Sequence, residues 1–495
     1  MSIVNKFFTK ENNSSQALWI AIGSFASFAV GIITSMVLSR YFNKDDYGTY
    51  KQVMYVYNTL LIVFTLGLPQ AYGYFLPRVS LEQGKDVVKK ITSIFYLAGL
   101  VFSLFLFCGA SLIANILSNP ELGNAIKLFS PVPLLLLPTL GIDSIYATYK
   151  KTYIAALYSV GTRVLTILFV VLPIVIRGGT YKVAIIGFVL ASFLNFVIAL
   201  FLKDFPFKGL ACVPSDITRK SILKFSLPLM YGGIWGLILT SADQFFISRY
   251  YGTRIFAEFS NGSMELPFVG MIISACTTVL YPYFSKMNHE GKNPKEEIYP
   301  IWKSVAIRTA MIIYPMIAFC WVFSSEIMVV LYGAEYEVSS VYFRIKLVSN
   351  IFTLVAFAPV VLSIGKTRYY ANVHMCAAIV LVILEYISVK TIVSPYYITV
   401  ISVMCRIGMI FALLAVITKY FGVSLASLFP IREGIIIFPF SLVILFLSRN
   451  LLTTWTSPFM SLILGFAIYV VVFFIFSRFV HLDYIKLLKP FFQSK

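Results

Sequence analysis

The sequence is poor in charged residues, which make up only 12% of its 495 positions. A soluble globular protein carries about 25% charged residues, so this chain cannot cover a soluble surface. Its 59% hydrophobic content instead points to lipid as the surrounding solvent. The net charge of +19 does not indicate nucleic-acid binding, because the Lys and Arg residues lie in short clusters between apolar runs rather than on one polar face.

The sequence also lacks the spacing patterns of metal sites and disulfide frameworks. Its six Cys form no CxxC pair, and its three His residues are far apart. We therefore expect no metal site, no cofactor and no catalytic residues. No Gly-rich phosphate-binding loop is present, and the loops are too short for a soluble catalytic domain. No apolar core with a cleavage site follows the polar N-terminus, which predicts an uncleaved first span.

Apolar runs of membrane length are abundant. A helix needs about 20 mostly apolar residues to cross about 30 Å of hydrocarbon. By this criterion the sequence predicts an all-α polytopic membrane protein with about fourteen transmembrane helices. The predicted spans are 17–39, 53–76, 91–116, 122–142, 153–176, 183–202, 226–248, 261–284, 305–323, 341–363, 369–393, 396–418, 433–448 and 456–477.

Basic residues are divided unequally between the two sides of these spans. With a cytoplasmic N-terminus and alternating spans, the inner loops collect most of the Lys and Arg, for example Lys85, Lys89 and Lys90. The outer loop SNPELG at 118–123 contains none. This asymmetry predicts that both termini are cytoplasmic, in a multi-pass protein of the cell inner (plasma) membrane.

An internal repeat relates the first and seventh spans. Ser39-Arg40-Tyr41-Phe42 and Ser248-Arg249-Tyr250-Tyr251 end the two spans, and six spans separate them. An even separation keeps the orientation, so we expect two six-helix lobes related by a parallel pseudo-repeat, plus two C-terminal helices. The expected divisions are the cytoplasmic N-terminus 1–16, the N-lobe 17–202, a cytoplasmic linker 203–225, the C-lobe 226–418, the two additional helices 419–477 and a cytoplasmic tail 478–495.

Four short motifs resemble those of a known transporter group. They are SRYFNKDDYGTY (39–50), GLPQAYGYFLPR (67–78), SADQFFISRYYG (241–252) and TVLYPYFSK (278–286). With the twelve-plus-two layout they resemble the multidrug/oligosaccharidyl-lipid/polysaccharide (MOP, or MATE-like) exporter superfamily, and within it the Wzx-type flippases of O-antigen and capsule precursors. One departure is Tyr74, where these proteins often have Arg.

The resemblance implies a specific task. The substrate would be a lipid-linked oligosaccharide, namely a repeat unit on a polyprenyl diphosphate, moved from the inner to the outer leaflet by alternating access for surface polysaccharide biosynthesis. No covalent chemistry is required. Contact with membrane lipids and coupling to H⁺ or Na⁺ belong to this expectation, as do a polysaccharide polymerase and other assembly proteins as partners.

Two arginines near mid-membrane are the candidate phosphate ligands. Arg163 lies about ten residues into the predicted fifth span, and Arg406 lies about ten residues into the twelfth. A guanidinium group presents paired donors that match phosphate oxygens, so we expect both to bind the substrate's diphosphate. An internal salt bridge, or a bond to a carbonyl of a broken helix, is the alternative for each.

Two acids in the outer half of the membrane are candidates for a gate or a coupling-ion site. Asp243 lies in the predicted seventh span and Glu265 in the eighth, where Pro267 predicts a kink. Two adjacent acids can bind Na⁺ or share a proton. A gate ion pair with Arg249 or Arg40 is the alternative.

Other functions fit the same layout. A cation-coupled MATE-type multidrug exporter and a peptidoglycan-precursor flippase share the predicted architecture. A membrane polysaccharide polymerase or ligase is disfavoured, because such enzymes usually have a large outer loop with catalytic Arg or His. The outer loops predicted here are short and contain no His.

Overall fold

The computed structural model describes residues 13–354 and 357–480, together with Leu482 and Tyr484. The predicted tails at 1–16 and 478–495 lie mostly outside the described residues. Within this described part the chain forms helices and no strand. Among the described residues, twelve helical stretches are long and apolar enough to cross a membrane. The prediction of an all-α, multi-pass membrane protein is confirmed.

The chain divides into two compact units, Met1–Ala257 and Glu258–Lys495. The helices of the first unit are α1 (Asn13–Tyr41), α2 (Lys44–Phe64), α3 (Pro69–Phe75), α4 (Leu81–Ile116), α5 (Pro120–Phe129), α6 (Val132–Leu136), α7 (Ile142–Thr148), α8 (Thr152–Thr166), α9 (Leu172–Arg177), α10 (Tyr181–Asp204) and most of α11 (Arg219–Gly262). The boundary between the units falls near the end of α11, after a non-helical Gly252 at φ 84° and ψ 177°.

The second unit contains the remaining helices. They are α12 (Pro267–His289), α13 (Tyr299–Val322), α14 (Ser324–Tyr332), α15 (Ser339–Phe352), α16 (Ala358–Ser363), α17 (Thr367–Thr391), α18 (Tyr396–Phe421), α19 (Leu425–Leu428), α20 (Ile431–Thr453) and α21 (Pro458–Phe479).

The twelve membrane-length stretches coincide with twelve of the fourteen predicted spans. The two exceptions are the first and the tenth. The first is α1, whose apolar part appears among the shorter helices as Phe25–Tyr41. The tenth is divided between α15 and α16, and positions 355–356 between them are not described. The structure therefore supports the fold class without establishing a count of fourteen.

The proline-rich fourth span is broken rather than continuous. Proline lacks an amide donor, and α5, α6, a 3₁₀ turn at Leu137–Thr139 and α7 follow one another there. Backbone groups at the break can be hydrogen-bonded by side chains of other helices. For example, Leu134 N–H donates to Ser103 Oγ of α4 at 3.0 Å. Such compensation is what permits irregular backbone at membrane depth.

Gly141 is required where this break meets α7. Its φ of 91° lies in the left-handed region, and a Cβ at this position would come within 2.2 Å of the Tyr72 ring. Tyr72 lies in α3, so the glycine lets α3 pack directly against the start of α7. This packing sets the position of the residues that follow Gly141.

The two C-terminal membrane helices are built into the second unit. Helix α20 packs against α13 and α21. Glu326 of α14 accepts a hydrogen bond from Arg449 Nε of α20 at 2.7 Å, and both side chains are largely buried. Ser441 and Tyr469 join α20 to α21 through hydroxyl groups 2.7 Å apart.

Candidate functional site: a polar cavity in the first unit

A cavity of about 280 Å³ lies among the helices of the first unit. It is lined by α8 and α10, by the broken segment around Gly141 with the start of α7, and by Tyr57 of α2. The polar groups that line it are Thr139, Asp143, Tyr158, Ser159, Thr162, Arg163, Thr166, Ser192 and Asn195. A polar cavity inside otherwise apolar helices is where a membrane transporter binds its substrate or coupling ion.

Helix α8 supplies much of this lining through its periodicity. The residues of α8 that line the cavity are Tyr158, Ser159, Thr162, Arg163 and Thr166. Its opposite face is apolar and exposed at Leu157 and Val164, and Leu168 continues it in the next turn. Because residues three and four apart share a face, the sequence of α8 directs one polar face into the protein and one apolar face toward lipid.

Arg163, which we expected to bind phosphate, lies in this cavity. Its Nε donates to Ser27 Oγ of α1 at 3.1 Å, and Ser27 and Ser159 hydroxyls are 3.1 Å apart. Ser159 also donates to the carbonyl of Gly23 at 3.3 Å. Among the described residues, the two terminal Nη groups have no hydrogen-bond or ion-pair partner. The guanidinium is therefore oriented by neutral groups while its charge stays available to an anion.

Asp143 is a cavity residue that sequence reasoning missed. It lies in the first turn of α7, two residues after Gly141, and its side chain is exposed to the cavity. Its carboxylate makes no hydrogen bond or ion pair within the described part of the chain. A signal was present in the sequence, because an acid directly after a Pro- and Gly-interrupted span matches the way broken helices contribute to transporter sites.

Asn195 is the second residue that the sequence did not reveal. Tyr158 of α8 donates its hydroxyl proton to Asn195 Oδ1 of α10, with the two oxygens 2.5 Å apart. This bond joins two cavity walls by a polar contact. A single Asn in an apolar span carries no periodic signal of its own, and only the packing of α8 against α10 identifies its role.

Arg406, the other predicted phosphate ligand, lies in the second unit and is paired. Its Nη1 is 3.7 Å from Glu265 Oε1. The two side chains are 42% and 80% exposed, so the pair is loose and accessible. This is the internal ion pair that we gave as the alternative for Arg406, and its partner is one of the predicted gate or coupling-ion acids.

The expected kink in the eighth span was wrong. Pro267 is the first residue of α12, where a missing amide donor costs nothing, and Glu265 lies in the segment before the helix. The predicted span was begun too early, inside the end of α11. Glu265 is consequently a residue of a helix connection rather than of a kinked helix.

Asp243 and Arg249 occupy different environments in α11. Asp243 is buried, and its Oδ1 accepts the N–H of Gln244 at 2.8 Å. Arg249 Nη1 donates to the carbonyl of Asn115 at 2.6 Å and to Ser118 Oγ at 2.8 Å, at the end of α4. Arg40 is exposed near the end of α1.

Helix α2 and the distal part of α11 form a set of contacts that we call the α2–α11 clasp. The clasp comprises Asp45, Gly48 and Gln52 of α2 with Ser248, Thr253 and Arg254 of α11. Arg254 pairs with Asp45 through an Nη2–Oδ2 distance of 2.8 Å, and Gln52 Nε2 donates to the buried Ser248 at 2.8 Å. At Gly48 a Cβ would come within 2.4 Å of the Thr253 carbonyl. The two helices therefore approach at backbone distance.

A guanidinium lies beside Tyr74, the position where the resembling proteins often have Arg. Arg78 stacks 3.5 Å above the Tyr74 ring, whose other contacts include a stacking on Phe225 with ring centroids 4.0 Å apart. The charge missing at position 74 is thus present one turn later. Within the described residues no three His, Cys, Asp or Glu side chains come together as a metal-binding group.

Comparison with known proteins identifies the family. Residues 37–341 match the family described as "Polysaccharide biosynthesis protein". No curated protein matches the chain.

Solved structures show the same fold. The lipid II flippase MurJ in an inward closed conformation aligns with a TM-score of 0.71 at 18% identity, covering 94% of this chain and 99% of that one. An inward-facing multidrug resistance MATE transporter aligns with a TM-score of 0.62 at 14% identity, covering 83% and 98%. A MOP superfamily transporter from Pyrococcus furiosus gives 0.53 at 16% identity, covering 84% and 94%.

These matches confirm the resemblance to the MOP superfamily that the four motifs indicated. The family match extends from the end of α1 through the start of α15 and includes α8, α10 and the cavity. The structural matches extend the likeness in fold to nearly the whole chain. The chain belongs to the polysaccharide biosynthesis protein family and has the fold of the MOP superfamily.

Proposed function

We propose that this protein is a flippase that moves a polyprenyl-diphosphate-linked oligosaccharide from the inner to the outer leaflet by alternating access. The observation that carries the proposal is the guanidinium of Arg163, held in a polar cavity by Ser27 with its Nη groups unpaired among the described residues. A diphosphate supplies the anion that this group requires. Membership of a polysaccharide biosynthesis family supports a sugar-bearing lipid as the molecule that presents it.

The physical problem for such a flippase is the charged, hydrated head group. Moving an ion out of water is expensive unless a partner replaces its solvation. Arg163 would replace part of the water around the diphosphate with charge-assisted hydrogen bonds, which are about twice as strong as neutral ones. The hydroxyl and amide groups of the same cavity would form hydrogen bonds with the sugar in place of water, and the polyprenyl chain would remain in the bilayer.

The Arg406–Glu265 pair is a proposed second contact in the second unit. Its 3.7 Å separation and exposure make it easy to open. A phosphate oxygen could then replace the carboxylate at Arg406. Glu265 would act as the competing anion that releases the substrate, or as the group that binds a coupling H⁺ or Na⁺.

The α2–α11 clasp is the proposed gate. Its contacts, together with those of Arg249 and the buried Asp243, would have to open when the cavity changes its accessible side. In a background without the native cysteines, Asp45→Cys and Arg254→Cys joined by a bis-methanethiosulfonate cross-linker, which can span the length of the ion pair, should stop transport, and a reductant should restore it. Unchanged transport in the cross-linked double variant would remove the clasp from the gate.

Two further candidate functions have specific support. The similarity to MurJ over 94% of the chain favours a lipid-linked peptidoglycan precursor as an alternative substrate. The similarity to MATE transporters favours a cation-coupled drug exporter.

We propose that the protein lies in the inner (plasma) membrane with both termini cytoplasmic. A polysaccharide polymerase would consume the repeat units that it delivers to the outer leaflet.

The function can be tested with purified protein in vesicles. Each vesicle preparation carries one fluorescent probe: a polyprenyl-diphosphate oligosaccharide, lipid II, or a cationic dye. The proposal predicts that the first lipid becomes accessible to an impermeant quencher several times faster than in empty vesicles. Dye transport without movement of either lipid would contradict it, and movement of lipid II alone would assign the peptidoglycan alternative.

A further inference from the structure

The cavity of the first unit is lined by two charged groups of opposite sign. Arg163 of α8 and Asp143 of α7 both face it, and the structure forms no ion pair between them. Neither charge has an ion-pair partner elsewhere in the described part of the chain. Oppositely charged groups that share a small cavity without pairing leave space for a ligand that satisfies both.

Most hydroxyl groups of the cavity donate their protons within the protein, so they can only accept hydrogen bonds from a ligand. Thr139, Thr162 and Ser192 each donate their hydroxyl proton to a helix carbonyl, at 2.7, 2.8 and 2.7 Å. The proton of Tyr158 is used on Asn195. A hydroxyl whose proton is engaged in this way can offer only lone pairs to a ligand.

This arrangement selects the chemistry of the ligand beside Asp143. Carboxylate and hydroxyl lone pairs accept from donors, so they suit a molecule with several O–H or N–H groups. A diphosphate offers only acceptors and fits at Arg163. The Asn195 amide NH₂ has no partner among the described residues and adds one donor to the otherwise accepting wall.

The size of the cavity suits a ligand portion of about one ring. Its volume of about 280 Å³ lies just below the range of about 300–1,000 Å³ that is typical of small-molecule sites. That is room for one sugar ring and not for a whole repeat unit. The sugar adjacent to the diphosphate is the one that a guanidinium at Arg163 would bring into reach.

We infer that Asp143, Thr139, Thr162, Ser192 and Asn195 form a subsite for the first sugar of the lipid-linked substrate, and that this sugar is neutral and rich in hydrogen-bond donors. The inference rests on the proposed function and specifies the substrate of the same cavity. An acidic sugar at that position, such as a uronic acid, is disfavoured because its carboxylate would meet Asp143. Neutral hexoses and N-acetylhexosamines meet the requirement.

The test uses full-length protein in lipid vesicles and three synthetic lipids. They are bare polyprenyl diphosphate, the same lipid with one neutral hexose, and the same lipid with the corresponding uronic acid. Binding and flipping are measured for the wild type and for Asp143→Asn, which preserves size, removes the charge and replaces one acceptor oxygen with an NH₂ donor. Thr162→Val, which changes one cavity hydroxyl to a methyl group of similar shape, provides a second variant.

We expect the wild type to prefer the neutral sugar lipid by about tenfold, the effect of one unfavourable charged contact. Asp143→Asn should remove most of this preference, and it should bind bare polyprenyl diphosphate at least as tightly as the wild type, because a negative charge has left the cavity. Thr162→Val should weaken binding of the neutral sugar lipid several-fold and that of the bare lipid much less.

Three outcomes would overturn the inference. Equal handling of the two sugar lipids by the wild type would show that the cavity does not read the first sugar. A preference that survives in Asp143→Asn, with loss of the dependence on an ion gradient, would assign Asp143 to a cation instead. Failure of the wild type to move any of the lipids would reject the proposed function as well, which separates that failure from the other two.

Discussion

Arg163 of the first unit and Arg406 of the second unit occupy equivalent depths in their predicted spans, but their surroundings differ. Arg163 is oriented by a serine hydroxyl and has no carboxylate partner among the described residues. Arg406 faces Glu265, and neither side chain is buried. An uncompensated charge requires a partner from elsewhere, so we take the unpaired Arg163 to be a stronger candidate for a ligand site than the paired Arg406.

A further pair in the second unit extends this comparison. Arg449 and Glu326 are 2.7 Å apart, and only 7% of the Glu326 side chain is exposed. This pair joins α14 to α20 and serves the structure. Removing a charge that is paired in this way should lower the stability of the protein. Removing an unpaired charge from the first-unit cavity should lower the rate of transport.

The largest expected effect is that of Arg163→Ala. Two charge-assisted bonds to the diphosphate are lost, so transport of the polyprenyl-diphosphate oligosaccharide should fall about a hundredfold. Arg163→Lys keeps the charge but loses the paired donors, so its transport should be about tenfold faster than that of Arg163→Ala. Initial flipping rates at equal protein content provide the measurement. Transport by Arg163→Ala within a factor of about two of the wild type would remove the residue from the site.

Glu326→Ala should have the next largest effect, on stability rather than transport. Removing one partner of a largely buried pair leaves Arg449 without its anion and should lower the free energy of unfolding by about 3 kcal/mol. Thermal denaturation in detergent provides the measurement, with the exposed Glu335→Ala in the same unit as the control. Normal stability accompanied by lost transport would reverse the assignment of this pair.

Arg406→Ala should have a moderate effect on transport. Since its side chain is solvent-accessible and already screened by Glu265, we expect a decrease of about tenfold or less. Glu265→Gln sharpens the comparison, because it removes the competing anion and should tighten binding of polyprenyl diphosphate. Weaker binding in Glu265→Gln would exclude competition between Glu265 and the substrate.

The smallest expected effect is that of Ser27→Ala. The variant removes the hydroxyl that accepts from Arg163 Nε at 3.1 Å, so the guanidinium keeps its charge and loses its orientation. Because this exposed hydrogen bond positions the guanidinium without contacting the substrate, its loss should decrease transport by about threefold only. The same assay in an Arg163→Ala background should show no further decrease, and an additive decrease would mean that Ser27 acts independently of Arg163.

Sequence reasoning identified the membrane helices and singled out Arg163 as a candidate ligand residue for the same physical reason. Hydrocarbon tolerates long apolar helices and penalises an isolated guanidinium, so both features are visible in a single chain. Asp143 and Asn195 were not predicted, because their role depends on how the broken fourth span and α10 pack around α8. The start of α7, which carries Asp143, is positioned by the contact of Gly141 with Tyr72, and no sequence periodicity reports that contact.

The differences between the predicted and observed structure have equally specific causes. Pro267 was interpreted as a kink inside a helix, although proline fits best at the first position of one, and this misplaced Glu265. The pairing of Arg406 with Glu265 joins residues far apart in the chain, and charge spacing cannot predict it. The repeat of Ser-Arg followed by two aromatic residues did indicate a real local similarity, because both copies have a buried Ser and an exposed Arg just before a break in the helix.

The binding of diphosphate by Arg163 is tested most directly by equilibrium binding of bare polyprenyl diphosphate to the protein in lipid nanodiscs. The wild type is compared with Arg163→Ala and with Arg177→Ala, which removes an exposed arginine from the end of α9, outside the lining of the cavity. We expect Arg163→Ala to weaken binding about a hundredfold and Arg177→Ala to leave it unchanged. Equal affinities for all three proteins would contradict the assignment of Arg163 to the diphosphate.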